Sequence, residues 1–292
     1  VNIKEVPGMN IKVLMLCAVF VFSCFGVEVE VLKDVVFGRA GTGSKEIELK
    51  LDIARPKEKS GKPLPVVVLI FGGGWAYGSK ENWKNDLKTF ANNGYLCAAI
   101  DYRLAPKYKF PAQIEDCKCA VRFLRAKAKE YNIDPDRIAC MGYSAGGHLS
   151  ALMGTSGGVK ELEGTGGWAE YSSKIQAVID YCGPADIWKL KGGKKDVNEM
   201  LVNFIGKRAL EDKEKVQLAS PVYFASKDAP PFLIIHGEKD PLVPVSQARE
   251  LEAALNAAGA EVTLKVDPNG GHGGYDVITA ALDFLGKHFK AR

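Results

Sequence analysis

Histidine is scarce in this chain, with four in 292 residues, so any chemistry that needs an imidazole has few candidates. Excess charge of one sign is also lacking: 39 Lys and Arg face 35 Asp and Glu, and no five like charges run together. That balance argues against nucleic acid as a partner, and the Lys-rich stretch 189–195 reads as a solvated loop. Paired metal-ligand spacing is absent too. Of seven cysteines, Cys17 and Cys24 fall in the leader described below, and Cys97, Cys117, Cys119, Cys140 and Cys182 show neither Cys-x-x-Cys spacing nor neighbouring histidines. Five thiols cannot all pair, so they read as small buried apolar residues, and no metal or other cofactor is expected. The apolar run Val13–Phe22 falls short of the roughly 20 residues that a permanent membrane span requires. Led in by Met9, Asn10, Ile11 and Lys12 and closed by small residues, it has the layout of a signal peptide instead. A secreted or periplasmic protein is expected, with cleavage near Gly26. Lipid attachment at Cys24 is the lesser alternative, because bulky Phe22 suits a lipoprotein cleavage site poorly. Residues 1–8 precede the start expected at Met9 and carry no weight for the fold. Internal repeats and low-complexity tracts are missing, so one catalytic domain is expected over 27–292.

At 47% apolar composition, such a chain can bury about three quarters of its unfolded surface. Residues 27–37 and 46–53 alternate apolar with polar, the second through Ile47, Leu49, Leu51 and Ile53, which predicts two half-exposed strands. The run 64–71 is continuously apolar and β-branched, as in a parallel strand buried on both faces. Helical patterning over 81–93, a strand at 95–100, a helix opened by Pro111 and a strand at 137–141 follow. A helix at 145–154 and strands at 175–181, 232–235 and 261–266 complete the series. Strands alternating with helices predict an α/β architecture with a mostly parallel sheet covered on both faces. The charged segment 186–227 reads as a small helical insertion over the site.

One strand-to-helix junction carries the chemistry. Residues 138–141 lead into Gly142-Tyr143-Ser144-Ala145-Gly146 and then a helix, the context of a nucleophile elbow. Side chains in place of the flanking glycines would collide with the neighbouring strand and helix, and the sharp turn lifts the Ser144 hydroxyl above the sheet. Gly154-Thr155-Ser156-Gly157-Gly158 also fits the pattern Gly-x-Ser-x-Gly, but it follows a helix and reads as a loop.

A serine hydroxyl attacks only when a base accepts its proton, and histidine suits that role near neutrality. His148 starts the helix after Ser144 and points into the fold, His236 ends a buried strand, and His288 lies in the final helix. His272, in the loop Gly270-Gly271-His272-Gly273-Gly274, remains, and glycines there give it a flexible loop with reach. The acid that fixes its tautomer belongs between serine and histidine in chain order. Asp240 fits, after the strand 232–235 and braced by Pro241 and Pro244; Glu238 and Asp267 are its rivals. Gly72-Gly73-Gly74, beyond the third strand, can turn bare amides toward a developing oxyanion, so Gly73, Gly74 and Ala145 are the expected donors. The structural alternative for the glycines is a tight turn. No Gly-Lys-Ser or Gly-Lys-Thr follows them, which excludes a phosphate loop. Trp75 and Tyr143, with Tyr77 and Trp188, are candidates to line a substrate pocket or simply to pack.

Taken together, several segments resemble the α/β-hydrolase esterases, especially the hormone-sensitive-lipase-like and the bacterial feruloyl or acetyl-xylan esterase-like groups. These are Gly72–Trp75, Asp101-Tyr102-Arg103-Leu104-Ala105-Pro106, Asp134-Pro135-Asp136-Arg137-Ile138, the elbow, His236-Gly237-Glu238-Lys239-Asp240 and His272, and the resemblance covers nearly all of 66–287. It implies the α/β-hydrolase fold and a serine carboxylesterase acting on short acyl esters, acetyl or feruloyl groups on polysaccharide among them. These families usually place a histidine before the three glycines, where it braces the oxyanion loop; here the residue is Phe71. Two other readings stand beside the esterase: a formamidase or amidase, which shares the tetrahedral intermediate, and a catalytically silent binding protein on the same scaffold.

Overall fold

The computed structural model describes residues 28–41, 43, 46–58, 61–190 and 194–289. The leader, Cys17 and Cys24 included, lies outside the described residues. Strands β1 (Val29–Ala40), β2 (Ile47–Pro56) and β3 (Leu64–Ile70) are followed by a short 3-10 turn and helix α1 (Lys84–Asn92). Then come β4 (Leu96–Ile100), α2 (Ala112–Ala126), α3 (Ala128–Tyr131), β5 (Ile133–Tyr143), α4 (Ala145–Thr155) and β6 (Ala177–Tyr181). Helices α5 (Ile187–Leu190), α6 (Lys195–Ile205) and α7 (Lys213–Leu218) precede β7 (Phe232–Gly237), α8 (Ser246–Ala258), β8 (Val262–Asp267) and α9 (Val277–His288). The strands form one eight-stranded sheet in the order β1-β2-β4-β3-β5-β6-β7-β8. The ladders β1–β2 and β2–β4 are antiparallel and all others parallel. This is the α/β-hydrolase fold.

Every residue of 66–70 and 96–100 is buried, so helices cover both faces of the central strands. Each fully buried Val or Ile there contributes roughly 1.5–3 kcal/mol relative to exposure. Strand β2 departs from its expected alternation. Leu51, Asp52, Ile53 and Ala54 are all buried, because β2 lies inside β1 in the sheet and packs against α1. Its inward Asp52 is neutralised by Lys80 at 2.8 Å. Strand β5 also begins four residues earlier than its apolar run, at Ile133, where Leu64 pairs with it. The five cysteines from Cys97 to Cys182 are buried and free, as their apolar surroundings suggest.

Strand order reverses between β3 and β5: the chain passes from β3 outward to β4, then returns to the other side of β3. In parallel sheets the crevice beyond the carboxyl ends at such a reversal is where ligands bind. Register aligns those ends, with Ile70 beside Gly142 and Tyr143 beside Tyr181. Beside them α5 and α6 bring Leu190, Val197 and Met200 to a cavity shared with Ser144, and α7 packs on α5. Their chain is docked rather than loose, since the amides of Ala185 and Asp186 both donate to Gln247 Oε1, at 2.9 and 2.8 Å. Lys189, from the Lys-rich stretch, pairs with Glu250 at 3.2 Å. No helix among the described residues is long and apolar enough to cross a membrane.

Candidate active site

Between β5 and α4 a single residue, Ser144, makes the turn. Its backbone, at φ 54° and ψ −117°, lies outside the regions open to ordinary side chains. Two hydrogen bonds hold it there: its N–H donates to the Tyr181 carbonyl at 2.7 Å, and its own carbonyl accepts from the His148 amide at 2.9 Å. Close approach makes the flanking glycines necessary. A Cβ on Gly142 would lie 2.1 Å from the Gly146 carbonyl oxygen, and one on Gly146 would lie 2.0 Å from that of Ile70. The second Gly-x-Ser-x-Gly is no elbow. Its Ser156 is fully buried at the end of α4 and donates to the Leu152 carbonyl at 2.6 Å.

Ser144, Asp240 and His272 converge from three separate loops. His272 Nε2 stands 2.9 Å from Ser144 Oγ, and its Nδ1 stands 2.6 Å from Asp240 Oδ2. An ionised carboxylate can only accept, so Nδ1 carries the proton and Nε2 offers its lone pair to the hydroxyl. Asp240 has a wholly buried side chain. Burial opposes its ionisation. Hydrogen bonds from His236, His272 and the amides of Val243 and Leu242 outweigh that and hold the carboxyl well below the usual range. The rival acids are engaged elsewhere: Glu238 pairs with Arg249 at 2.6 Å, and Asp267 caps its own turn through the Asn269 amide at 2.8 Å.

His236, expected to make a structural hydrogen bond at a strand end, does so, donating through Nε2 to the Val243 carbonyl at 2.8 Å; that it also lies 3.3 Å from Asp240 Oδ2 was missed, as were Tyr181 and Tyr275. The glycine-rich loop carrying His272 is tied down rather than flexible. Tyr143 donates its hydroxyl to the His272 carbonyl at 2.9 Å, Tyr275 donates its own to Gly271 at 3.2 Å, and the Tyr275 amide reaches the Tyr181 hydroxyl at 3.4 Å. Tyr181 gave no signal in the sequence because the loop it holds lies 94 residues away, and Tyr275, only four residues from Gly271, gave none because a loop's own folding is not a periodic pattern. Cys182, His236 and Asp240 also bring donor atoms within 4.8 Å of one another. This donor set suits a metal poorly. Burial pushes the Cys182 thiol up to about 12, and Asp240 has both oxygens engaged.

Against Ser144 lies the glycine loop, where a Cβ on Gly72 would be 3.3 Å from Ser144 Cβ. Gly73 and Gly74 have φ 103° and 57°. The Gly73 carbonyl turns away to accept from Ala76 and Tyr77 at 3.1 and 3.0 Å, and the amides of Gly73, Gly74 and Ala145 make no hydrogen bond among the described residues. Ala145 begins α4, so its N–H also sits at the positive end of a helix dipole. Phe71 replaces the usual histidine brace by stacking, with its ring 4.1 Å from that of Tyr102, whose hydroxyl donates to the Phe71 carbonyl at 3.0 Å. Trp75 proves to be mainly a second brace. Its indole stacks on Phe204 at 4.1 Å and donates to His148 Nδ1 at 3.1 Å, while His148 Nε2 donates to the Ala219 carbonyl at 2.7 Å. Burial pushes His148 down to about 4, which keeps it neutral and able to accept from Trp75.

Two cavities meet at this point. One, of about 310 Å³, contains Ser144 and is otherwise apolar, walled by Trp75, Leu190, Val197, Met200, Leu242 and Val243. The other, of about 620 Å³, is lined by His272 but not Ser144, and its walls are mostly aromatic. Gly73, Tyr77, Tyr143 and His272 border both. Trp188 borders neither.

Comparison with known proteins places residues 51–255 within the BD-FAE family. The esterase LipQ of Mycobacterium tuberculosis (strain ATCC 25618 / H37Rv) is 32% identical over 265 residues, 87% of this chain and 61% of LipQ. This chain therefore spans about three fifths of that relative. Among solved structures, a truncated carbohydrate esterase from gut microbiota superposes with a TM-score of 0.77 at 30% identity, covering 91% of this chain and 99% of that one. The propionate-bound Est2 esterase of Thermogutta terrifontis matches with a TM-score of 0.68 at 28% identity, over 89% of this chain and 91% of that one.

Proposed function

Because the chain belongs to the BD-FAE family of α/β-hydrolase esterases, we propose that it is a serine carboxylic ester hydrolase working through Ser144, His272 and Asp240. The observation that carries this reading is the hydrogen-bonded line from Ser144 Oγ through His272 to Asp240, at 2.9 and 2.6 Å, beside three unpaired amides. One catalytic domain over 27–292, with 186–227 as its cap, is part of the proposal.

Ser144 Oγ attacks the ester carbonyl as its proton passes to His272 Nε2, and the carbonyl oxygen becomes an oxyanion within reach of the Gly73, Gly74 and Ala145 amides. Asp240 stabilises the imidazolium without taking its proton. Collapse of the tetrahedral intermediate breaks the bond to the alcohol oxygen, which receives the proton from Nε2. A water then repeats the sequence and frees the acid. The acyl group is bonded to Ser144 from attack until that water releases it, so it occupies the smaller apolar cavity, under Leu190, Val197 and Met200 of the cap. The alcohol departs past His272 into the larger one.

Short acyl esters, with acetyl or feruloyl groups on polysaccharide as the favoured case, are the proposed substrates. The names of the gut carbohydrate esterase and the propionate-bound Est2 support this, and export, as the leader layout suggests, fits substrates outside the cell. Initial rates on acetyl and feruloyl esters beside a formamide test it: the esters should be cleaved with the higher kcat/KM, and a preference for the formamide would replace esterase by amidase.

The donor loop makes a sharper prediction. A Cβ at Gly73 would lie 2.2 Å from the Tyr77 carbonyl oxygen, at a φ that side chains rarely adopt. Gly73→Ala must therefore displace the loop and its amides, and kcat on an acetyl ester should fall by about a hundredfold or more. Covalent labelling of Ser144 by a fluorophosphonate should slow but persist. An unchanged kcat would remove this loop from the oxyanion site.

A further inference from the structure

The larger cavity has a wall that the reaction as described leaves without a task. It is formed by the turn before α1 and the start of that helix, which bring Asn82, Trp83 and Asp86 into the cavity that His272 also lines. Asn82, from the turn, and Asp86, from the first turn of α1, both line the cavity. Asn82 Oδ1 already accepts from the Ser79 amide at 2.9 Å, which leaves its Nδ2 hydrogens as donors. Asp86 is half-buried, and no other side chain pairs with it among the described residues. Trp83, 8% exposed, keeps its indole N–H buried with no partner. Buried as it is, that N–H is out of a ligand's reach, so Trp83 gives the cavity only ring surface.

Around these polar groups the surfaces are rings. Tyr143, Tyr181 and Tyr275 have their hydroxyls engaged in tying down the His272 loop, so their remaining surface in the cavity is largely ring. Tyr77 stands at the mouth, 74% exposed. Aromatic surface offers a platform for the C–H face of a pyranose. A hydroxyl both donates and accepts, and so matches a wall that presents an amide donor beside a carboxylate acceptor.

We infer that Asp86, on the wall of the leaving-group cavity, selects the alcohol, favouring a neutral, polyhydroxylated ring over an anionic one. The inference deepens the esterase reading and rests on it. A single negative charge on the wall makes the discrimination directional: neutral sugars gain a charge-assisted hydrogen bond, which is stronger than a neutral one, whereas an alcohol bearing its own carboxylate is repelled.

Kinetics on three acetyl esters test this: a monoacetylated methyl xyloside, a monoacetylated methyl glucuronide and phenyl acetate. Asp86→Ala should lower kcat/KM on the xyloside by about tenfold or more, chiefly through KM, the loss expected when a hydrogen bond to a charged group is removed. Phenyl acetate should change by less than about twofold on that scale. Asp86→Asn should raise kcat/KM on the glucuronide relative to wild type, an outcome that damage to the fold would not produce. Equal losses on xyloside and phenyl acetate, or no loss on either, would overturn the assignment. Ligand-observed NMR of methyl xyloside with Ser144→Ala, compared with Ser144→Ala/Asp86→Ala, separates the two readings. Binding that depends on Asp86, together with a wild type that cleaves none of the three esters, would sink the esterase and keep the subsite. Binding that ignores Asp86 would sink the subsite.

Discussion

Ser144→Ala is expected to lower kcat on an acetyl ester by about a millionfold while leaving the fold intact, the scale seen when the nucleophile of a serine triad is removed. The size follows from how the site is built. Every other group in it acts on a bond that Ser144 Oγ must first make: His272 stands 2.9 Å from that oxygen, and the free amides are proposed to bind the oxyanion its attack creates. Without the oxygen, what remains is ester held near a basic imidazole and amide donors. Stability should change little, because the strained turn is held by backbone bonds to Tyr181 and His148 that alanine keeps. Fluorophosphonate labelling of wild type and variant, followed by intact-mass measurement, checks the chemistry, and a thermal melt checks the fold. Wild type that takes no label would favour a silent binding protein on this scaffold.

Asp240→Asn should cost about ten-thousandfold in kcat at almost unchanged geometry. An asparagine amide can donate where the carboxylate only accepted, so His272 can turn its lone pair toward residue 240 and its N–H toward the serine, which is the wrong tautomer for a base. The variant also carries a signature in stability. The folded carboxyl of Asp240 is held below its unfolded value, so its ionised form adds stability that is fully present above the unfolded pKa, near 4. That contribution is lost as pH falls from there toward the folded value. Urea midpoints should therefore show wild type ahead of Asp240→Asn at pH 7, with the gap closing as the solution is acidified below about pH 4. A gap that widens on acidification would mean that Asp240 is not the ionised partner described above.

Much of this architecture could be read from local pattern. The unbroken β-branched stretch ahead of Phe71 requires burial on both faces, and a strand that runs into Gly142-Tyr143-Ser144-Ala145-Gly146 and a helix leaves little choice about which serine is raised above the sheet. Asp240 and His272 followed from chain order and from elimination among a few histidines. Half-exposed alternation misled at β2, because whether the outer face of a strand meets water depends on a neighbouring strand and helix that the pattern does not contain.

Covalent order alone thus determined the fold class and singled out Ser144, His272 and Asp240 as the residues that the fold brings together, since each rests on residue type, spacing and chain order. What only the folded molecule decided is everything that needs distant segments to touch. Tyr181 holding the His272 loop, stacking of Phe71 on Tyr102 in place of a histidine brace, and the meeting of Asn82, Trp83 and Asp86 with His272 around one cavity all arise this way. Hydrogen bonds and ring contacts act over a few ångströms in space without regard to separation in sequence, so such partners become visible only once the sheet has set its register.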